Sequence, residues 1–160
     1  GSLIGSHWLN GEPHPVGSDV RAVFLGLTGE HDRRHLVRAV LESICMTHRM
    51  SVERLAAVDR LPEGPLPVVG GGAASPVWMQ IMADVLGLKV ETPREPRYVG
   101  VMGAFYCALV GLGIAPDYDA ATAQFTGRGR VYSPRTEPRQ RHDDRFGRYT
   151  QLPSLLRSLG

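Results

Sequence analysis

Three consecutive glycines, Gly70-Gly71-Gly72, constrain this chain more than any other feature, because they lie between an apolar pair, Val68-Val69, and a helix start, Ser75-Pro76. Glycine has no Cβ to keep it out of the left-handed region or away from a neighbouring surface, so such a run specifies a tight turn rather than helix or strand. Ser75 supplies a side-chain cap, and Pro76 the fixed φ that suits the first helical position. Val77, Trp78, Ile81, Met82, Val85 and Leu86 then recur at three- and four-residue spacings, a helical stripe that Gly87 closes. The order is strand, bare turn, helix. Such a turn presents backbone N–H groups to a nucleotide or another anionic ligand, and a connection that binds nothing is the alternative.

The flanking segments repeat the alternation. Val20 to Leu27 suits a short buried strand, and Leu88 to Thr92 another. From Asp32, a plausible N-cap, the residues Leu36, Val37, Val40, Leu41, Ile44, Cys45, Val52 and Leu55 trace one long amphipathic helix. Prolines and a glycine between Leu61 and Pro67 make a rigid connector. Val99 to Leu112 predicts a third helix with Val101, Met102, Phe105, Leu109 and Leu112 on one face. The resulting order, β–α–β–α–β–α, is an α/β layer architecture with helices covering a sheet. Beyond Thr126 the chain turns arginine-rich from Arg128 to Arg148 and ends in a weakly apolar stretch, so residues 127–160 are expected as a solvated, partly helical tail.

Composition removes several classes of function. A formal net charge of +2 over 160 residues is too small to call for nucleic acid or membrane as a partner. No apolar run is long enough to cross a bilayer and the first ten residues lack the plan of a secretory signal, which together predict a soluble, cytoplasmic protein. Position 1 is glycine rather than methionine, which suggests a piece of something longer. Cys45 and Cys107 sit in helical patterns without metal spacing and read as buried free thiols. His31 and His35 share an i, i+4 spacing, yet no further ligand completes a site and the neighbouring arginines repel a cation, so no metal is expected. The arginines of 128–148 are interrupted by Glu137, Asp143 and Asp144, which favours a solvated surface over RNA or phosphate binding.

Gly70-x-Gly72-x-x-Ser75, with Glu91 at the end of the next strand, partly matches a dinucleotide fingerprint, although its third position departs and the motif stands in mid-chain. A second match covers far more of the sequence. Ala22-Val23-Phe24-Leu25-Gly26-Leu27, seven further residues, and His35-Leu36-Val37-Arg38-Ala39-Val40-Leu41-Glu42 together resemble the C-terminal signature of the FGGY carbohydrate kinases. GGGAASPVWMQIMADVLGLKVETP is similar to that family's adenosine-binding turn, helix and next strand, and VGVMGAFYCALVGLGI to its following helix. Upstream, His7-Trp8-Leu9-Asn10-Gly11-Glu12 resembles the loop before the signature in xylulokinase-like members. The likeness covers most of residues 7–116.

The resemblance implies an actin-like (RNase H-like) ATPase fold, with residues 1–126 as the C-terminal nucleotide-binding domain, lacking its first strands, and 127–160 as the tail. It implies ATP with Mg²⁺ as cofactors, and a sugar or polyol acceptor held by an N-terminal domain that also carries the catalytic aspartate. Gly71, Gly72 and Ala73 correspond to the turn against adenosine, Ser75 to a polar contact with the base, and Gly70 to a residue that shapes the turn. No catalytic residue is assigned to this chain. An open sheet edge implies that a further chain, or a second copy in a homo-oligomer, completes the sheet. Two other functions stay in view: a dinucleotide-binding oxidoreductase lobe and a non-catalytic association module.

Overall fold

In the computed structural model residues 3–12, 16–61, 63–123 and 128–159 are described. They belong to two compact units. One comprises residues 1–63, 81–87 and 134–160, the other residues 64–80 and 88–133.

Asp32 starts the longest element of the first unit, helix α1 (Arg33–Val58). Its carboxylate accepts from the backbone N–H groups of Arg34 and His35 at 2.9 and 3.2 Å, and the His35 ring reaches back to the Asp32 N–H, a full capping box. Only the middle of α1 is buried, through Ala39, Glu42, Ser43, Cys45, Met46 and Thr47. Val37 and Leu55, two members of the expected apolar stripe, are more than half exposed. The core above α1 is built from Trp8, Val20, Tyr149, Leu152 and the residues Ile81 to Leu86. Trp8 and Tyr149 pack with ring centroids 5.2 Å apart, and Tyr149 shares a 2.9 Å hydrogen bond with the Thr47 hydroxyl. A buried tryptophan in such a place contributes about 3–5 kcal/mol relative to alanine.

Two expectations change here. The buried strand at 20–27 shrinks to β2 (Phe24–Leu25), antiparallel to β1 (Ile4–Gly5), with both of its residues exposed. Gly26, at φ 79°, turns the chain out of the ladder directly after it. The segment after residue 134 is not a solvated tail on its inner faces. Helix α5 (Arg139–Tyr149) buries His142, Phe146 and Tyr149, spaced four and three residues apart, and helix α6 (Leu152–Leu159) buries Leu152 and Pro153. The arginines mask this stripe in the sequence: Arg139, Arg141 and Arg148 are exposed, while Arg145 turns inward to pair with the buried Glu42. The expected boundary at 126/127 falls within residues 124–127, outside the described residues.

In the second unit β3 (Leu66–Pro67) pairs in parallel with β4 (Val90–Pro93), Leu66 opposite Val90 and Pro67 opposite Glu91. On its other side β4 pairs antiparallel with β5 (Arg128–Tyr132), Val90 opposite Tyr132 and Pro93 opposite Arg128, with a register shift between Glu91 and Pro93. Gly129 sits at that shift because any Cβ there would run into the backbone of Thr92 and Pro93. The strand β5 was hidden in the arginine-rich stretch. Helix α2 (Pro76–Leu86) begins in this unit, and Gly87, at φ 67°, ends it as expected. Helix α3 (Val99–Gly111) forms where its periodicity predicts, yet none of its residues is buried, Val101 being 69% and Phe105 43% exposed, and a short helix α4 (Tyr118–Ala123) follows it. Cys107 on α3 is exposed, against expectation, whereas Cys45 is fully buried. Among the described residues no helix is long and apolar enough to cross a membrane.

Candidate functional site

Val68, just past β3, still donates to the Glu91 carbonyl at 2.8 Å before the chain leaves the sheet. Gly70 then takes φ 103°, a conformation that costs an L-residue about 1–2 kcal/mol, and this bend ends the strand. Gly71–Ala74 form one 3₁₀ turn, closed by Ala73 N–H to Gly70 C=O at 3.2 Å and Ser75 N–H to Gly72 C=O at 3.1 Å. Helix α2 follows without a further linker. The Ser75 hydroxyl oxygen accepts from the Trp78 N–H at 3.4 Å, a long cap that leaves the hydroxyl proton free to donate elsewhere.

The three glycines serve different ends. A Cβ on Gly72 would stand 2.6 Å from the Trp78 ring, so this position is glycine for the sake of packing. A Cβ on Gly70 or Gly71 would meet nothing within 4 Å, which leaves the main chain of these two residues bare. Ala73 is buried and supports the turn from beneath. The Gly70 N–H donates to the Pro96 carbonyl at 2.8 Å, fastening the turn to a second loop that runs from Thr92 into the 3₁₀ turn Pro96–Tyr98.

Between that loop, the turn and β5 lies a cleft of about 470 Å³. Ala73, Ala74 and Pro76 form one wall, and Arg94, Arg97 and Tyr98 another. Arg130 and Tyr132 of β5 line the rest, with the Arg130 guanidinium 5.2 Å above the Tyr132 ring. The five residues singled out in the sequence, Gly70, Gly71, Gly72, Ala73 and Ser75, stand on this one bend, and of them Ala73 lines the cleft while the three glycines and Ser75 do not. The cleft-lining arginines and tyrosines escaped that reading. The run Arg94-Glu95-Pro96-Arg97-Tyr98 was a legible signal, polar and proline-bearing between a strand and a helix.

Features set aside in the sequence keep structural places. His31 accepts from the Thr28 N–H at 3.0 Å and His35 closes the cap of α1, their rings 5.3 Å apart. Among the described residues no three His, Cys, Asp or Glu side chains converge as metal ligands. Glu91 lies within β4, paired on both sides.

Comparison with known proteins gives the same answer from three directions. Residues 6–112 match the family model of the C-terminal domain of the FGGY family of carbohydrate kinases. The L-xylulose/3-keto-L-gulonate kinase of Escherichia coli is 31% identical over 142 residues, covering 88% of this chain and 28% of the relative. A glycerol kinase of Mycolicibacterium gilvum is 35% identical over 130 residues, covering 81% of this chain and 25% of the relative. The crystal structure of xylulose kinase from Rhodospirillum rubrum superposes with a TM-score of 0.80 at 29% identity, over 99% of this chain and 31% of that one. The chain thus spans about a third or less of the length of the proteins it resembles, and the fold is part of the actin-like ATPase architecture that the resemblance implied. The chain belongs to the FGGY family of carbohydrate kinases and carries its C-terminal domain.

Proposed function

We propose that this chain is the ATP-binding portion of a carbohydrate kinase that moves the γ-phosphoryl group of ATP to a hydroxyl of a sugar or polyol. The observation that carries this reading is the bare main chain of Gly70 and Gly71 on the bend whose next residues, Ala73 and Ala74, line an open cleft. Gly71 presents its backbone to the adenosine, and Gly70 shapes the turn that makes this possible. Gly72 keeps the turn rigid by packing on Trp78, Ala73 offers a small wall to the ligand, and the free Ser75 hydroxyl proton donates to the base. A purine lying against main chain needs no Cβ between them, which is the reason for the residue types in this bend.

Phosphoryl transfer depends on aligning donor and acceptor and on neutralising charge as it develops. The acceptor site and the base that takes the hydroxyl proton belong, in this reading, to the part of the relatives' length that the chain does not span. Alone, it binds nucleotide weakly and phosphorylates nothing. ATP brings Mg²⁺ on its phosphates in such a reaction, and the described residues gather no ligand set for the ion, so no step through the metal is assigned to them. The acceptor stays open between the classes of the relatives, ketoses and glycerol among them. Family membership supports this reading over a dinucleotide-dependent oxidoreductase, which would have used Glu91 on the ribose.

A thermal-shift titration tests it, since a ligand that binds only the folded chain raises its melting temperature with concentration. ADP raises it and NAD does not. The reverse order would favour the oxidoreductase. No shift with either, together with a stable oligomer in solution, would favour a non-catalytic association module.

A further inference from the structure

We propose that the cavity between α1 and α5 in the first unit binds a small phosphate-bearing anion, at a site separate from the glycine-rich bend. The cavity measures about 220 Å³, and Arg38, Arg135, Arg141 and Arg145 line it together with His142. Four guanidinium groups around so small a volume repel one another unless negative charge stands among them. Part of that charge is internal. The Glu42 carboxylate takes Arg38 on one oxygen and Arg145 on the other, each at 2.6 Å, and the buried Asp84 holds Arg135 at 2.6 Å. One carboxylate facing two arginines leaves a positive surplus, and Arg141 adds to it, since it forms no ion pair with any described residue. Glu137 is an exposed carboxylate in the lining, and with Glu42 and Asp84 it leaves the four arginines a surplus of one positive charge.

Two further observations point to a ligand. His142 is only 3% exposed, yet its Nδ1 has no hydrogen-bond partner, and the Nε–H of Arg145 is buried without one as well. Buried polar atoms are seldom left in this state, because each forfeits its hydration for nothing in return. The N-terminus of α5 opens at the same place. Pro138 caps it without any side-chain hydrogen bond; the Arg139 N–H donates to the Thr136 carbonyl at 3.2 Å and the His142 N–H to the Pro138 carbonyl at 3.0 Å, so the helix adds the N–H groups of Gln140 and Arg141 and the positive end of its dipole to the arginines. Guanidinium forks, a nearby imidazole and a helix N-terminus make up the chemistry that recognises a phosphate group, free or as a monoester. This site uses the arginines of residues 128–148 that the nucleotide reading leaves without a role.

Calorimetric titration of the 160-residue chain at constant ionic strength tests the proposal, with inorganic phosphate and glycerol 3-phosphate as separate probes. Saturable binding of one phosphate per chain is expected. Arg141→Glu should weaken it at least tenfold, and Arg141→Gln should do so to a lesser extent. Arg54→Glu, an exposed position on α1 outside the cavity, should leave it unchanged. Equal affinity for the two probes identifies the phosphate group alone as the ligand, and tighter binding of the ester identifies a monoester. Heats that do not saturate, or equal losses in Arg141→Glu and Arg54→Glu, would overturn the site. Circular dichroism and the melting temperature of each variant confirm that it is folded, and Arg141→Gln carries the test if the charge reversal unfolds the chain.

Discussion

The indole of Trp78 lies against the α-carbon of Gly72, with room for a hydrogen there and for no larger group. This contact joins the second residue of the 3₁₀ turn to the first turn of α2 and fixes the shape of the bend from inside. Gly72→Ala must push the ring aside, an overpacking that costs roughly 1–3 kcal/mol. Urea denaturation should show a midpoint lowered by that free energy divided by the slope, with the slope unchanged, and a wild-type midpoint would show that the ring is free to move.

A second prediction concerns a buried charge. Asp84 is fully buried and takes the Arg135 guanidinium on one carboxylate oxygen and the Arg135 backbone N–H on the other. Arg135 itself is 60% exposed, so its removal takes a charged partner from the buried carboxylate while sparing a guanidinium that water already solvates. Arg135→Ala should cost about 2–3 kcal/mol, below the full penalty for breaking a buried pair because the backbone donor remains. Asp84→Asn in the Arg135→Ala background should recover part of that loss by equilibrium unfolding.

Stability should also fall in mildly acidic solution. Burial holds both His7 and His142 below the usual imidazole value of 6.5, against the opposing pull of Glu12 on His7 and of Glu42 on His142. A base whose folded pKa is lowered takes up its proton more readily when unfolded. The unfolded chain therefore binds more protons as pH drops below 6.5, and stability declines until the folded pKa is passed. Equilibrium unfolding between pH 7.5 and pH 5 should show this decline, and His142→Gln should flatten it in part. An unchanged slope in that variant would contradict a buried neutral His142.

The sequence made some of this architecture readable and concealed the rest for identifiable reasons. The caps Asp32 and Ser75 and the terminator Gly87 fall where their local chemistry requires, since capping is decided within one turn of backbone. The short sheet was harder. β5 carries Arg128, Gly129 and Arg130 and reads as a basic loop, because its place depends on pairing with β4 rather than on its own composition. The inner face of α5 rests on three apolar or aromatic-ring positions, His142, Phe146 and Tyr149, set among four arginines that dominate its composition. At the candidate site, the glycines were conspicuous, but their division into a packed Gly72 and two open neighbours depends on where Trp78 turns its ring. The second wall, Arg94, Arg97 and Tyr98, is brought to the bend by one backbone hydrogen bond, from Gly70 to Pro96.

In the proposed function the bare backbone of Gly71 is what meets the nucleotide. Its Cβ position is empty and its φ is not in the left-handed region, so Gly71→Ala is compatible with the fold. Titration calorimetry of ADP into wild-type and Gly71→Ala chains, with unfolding midpoints measured alongside, isolates that contact. The predicted result is affinity weakened at least tenfold with the midpoint unchanged or slightly raised. Undiminished ADP affinity in a folded Gly71→Ala chain would contradict it.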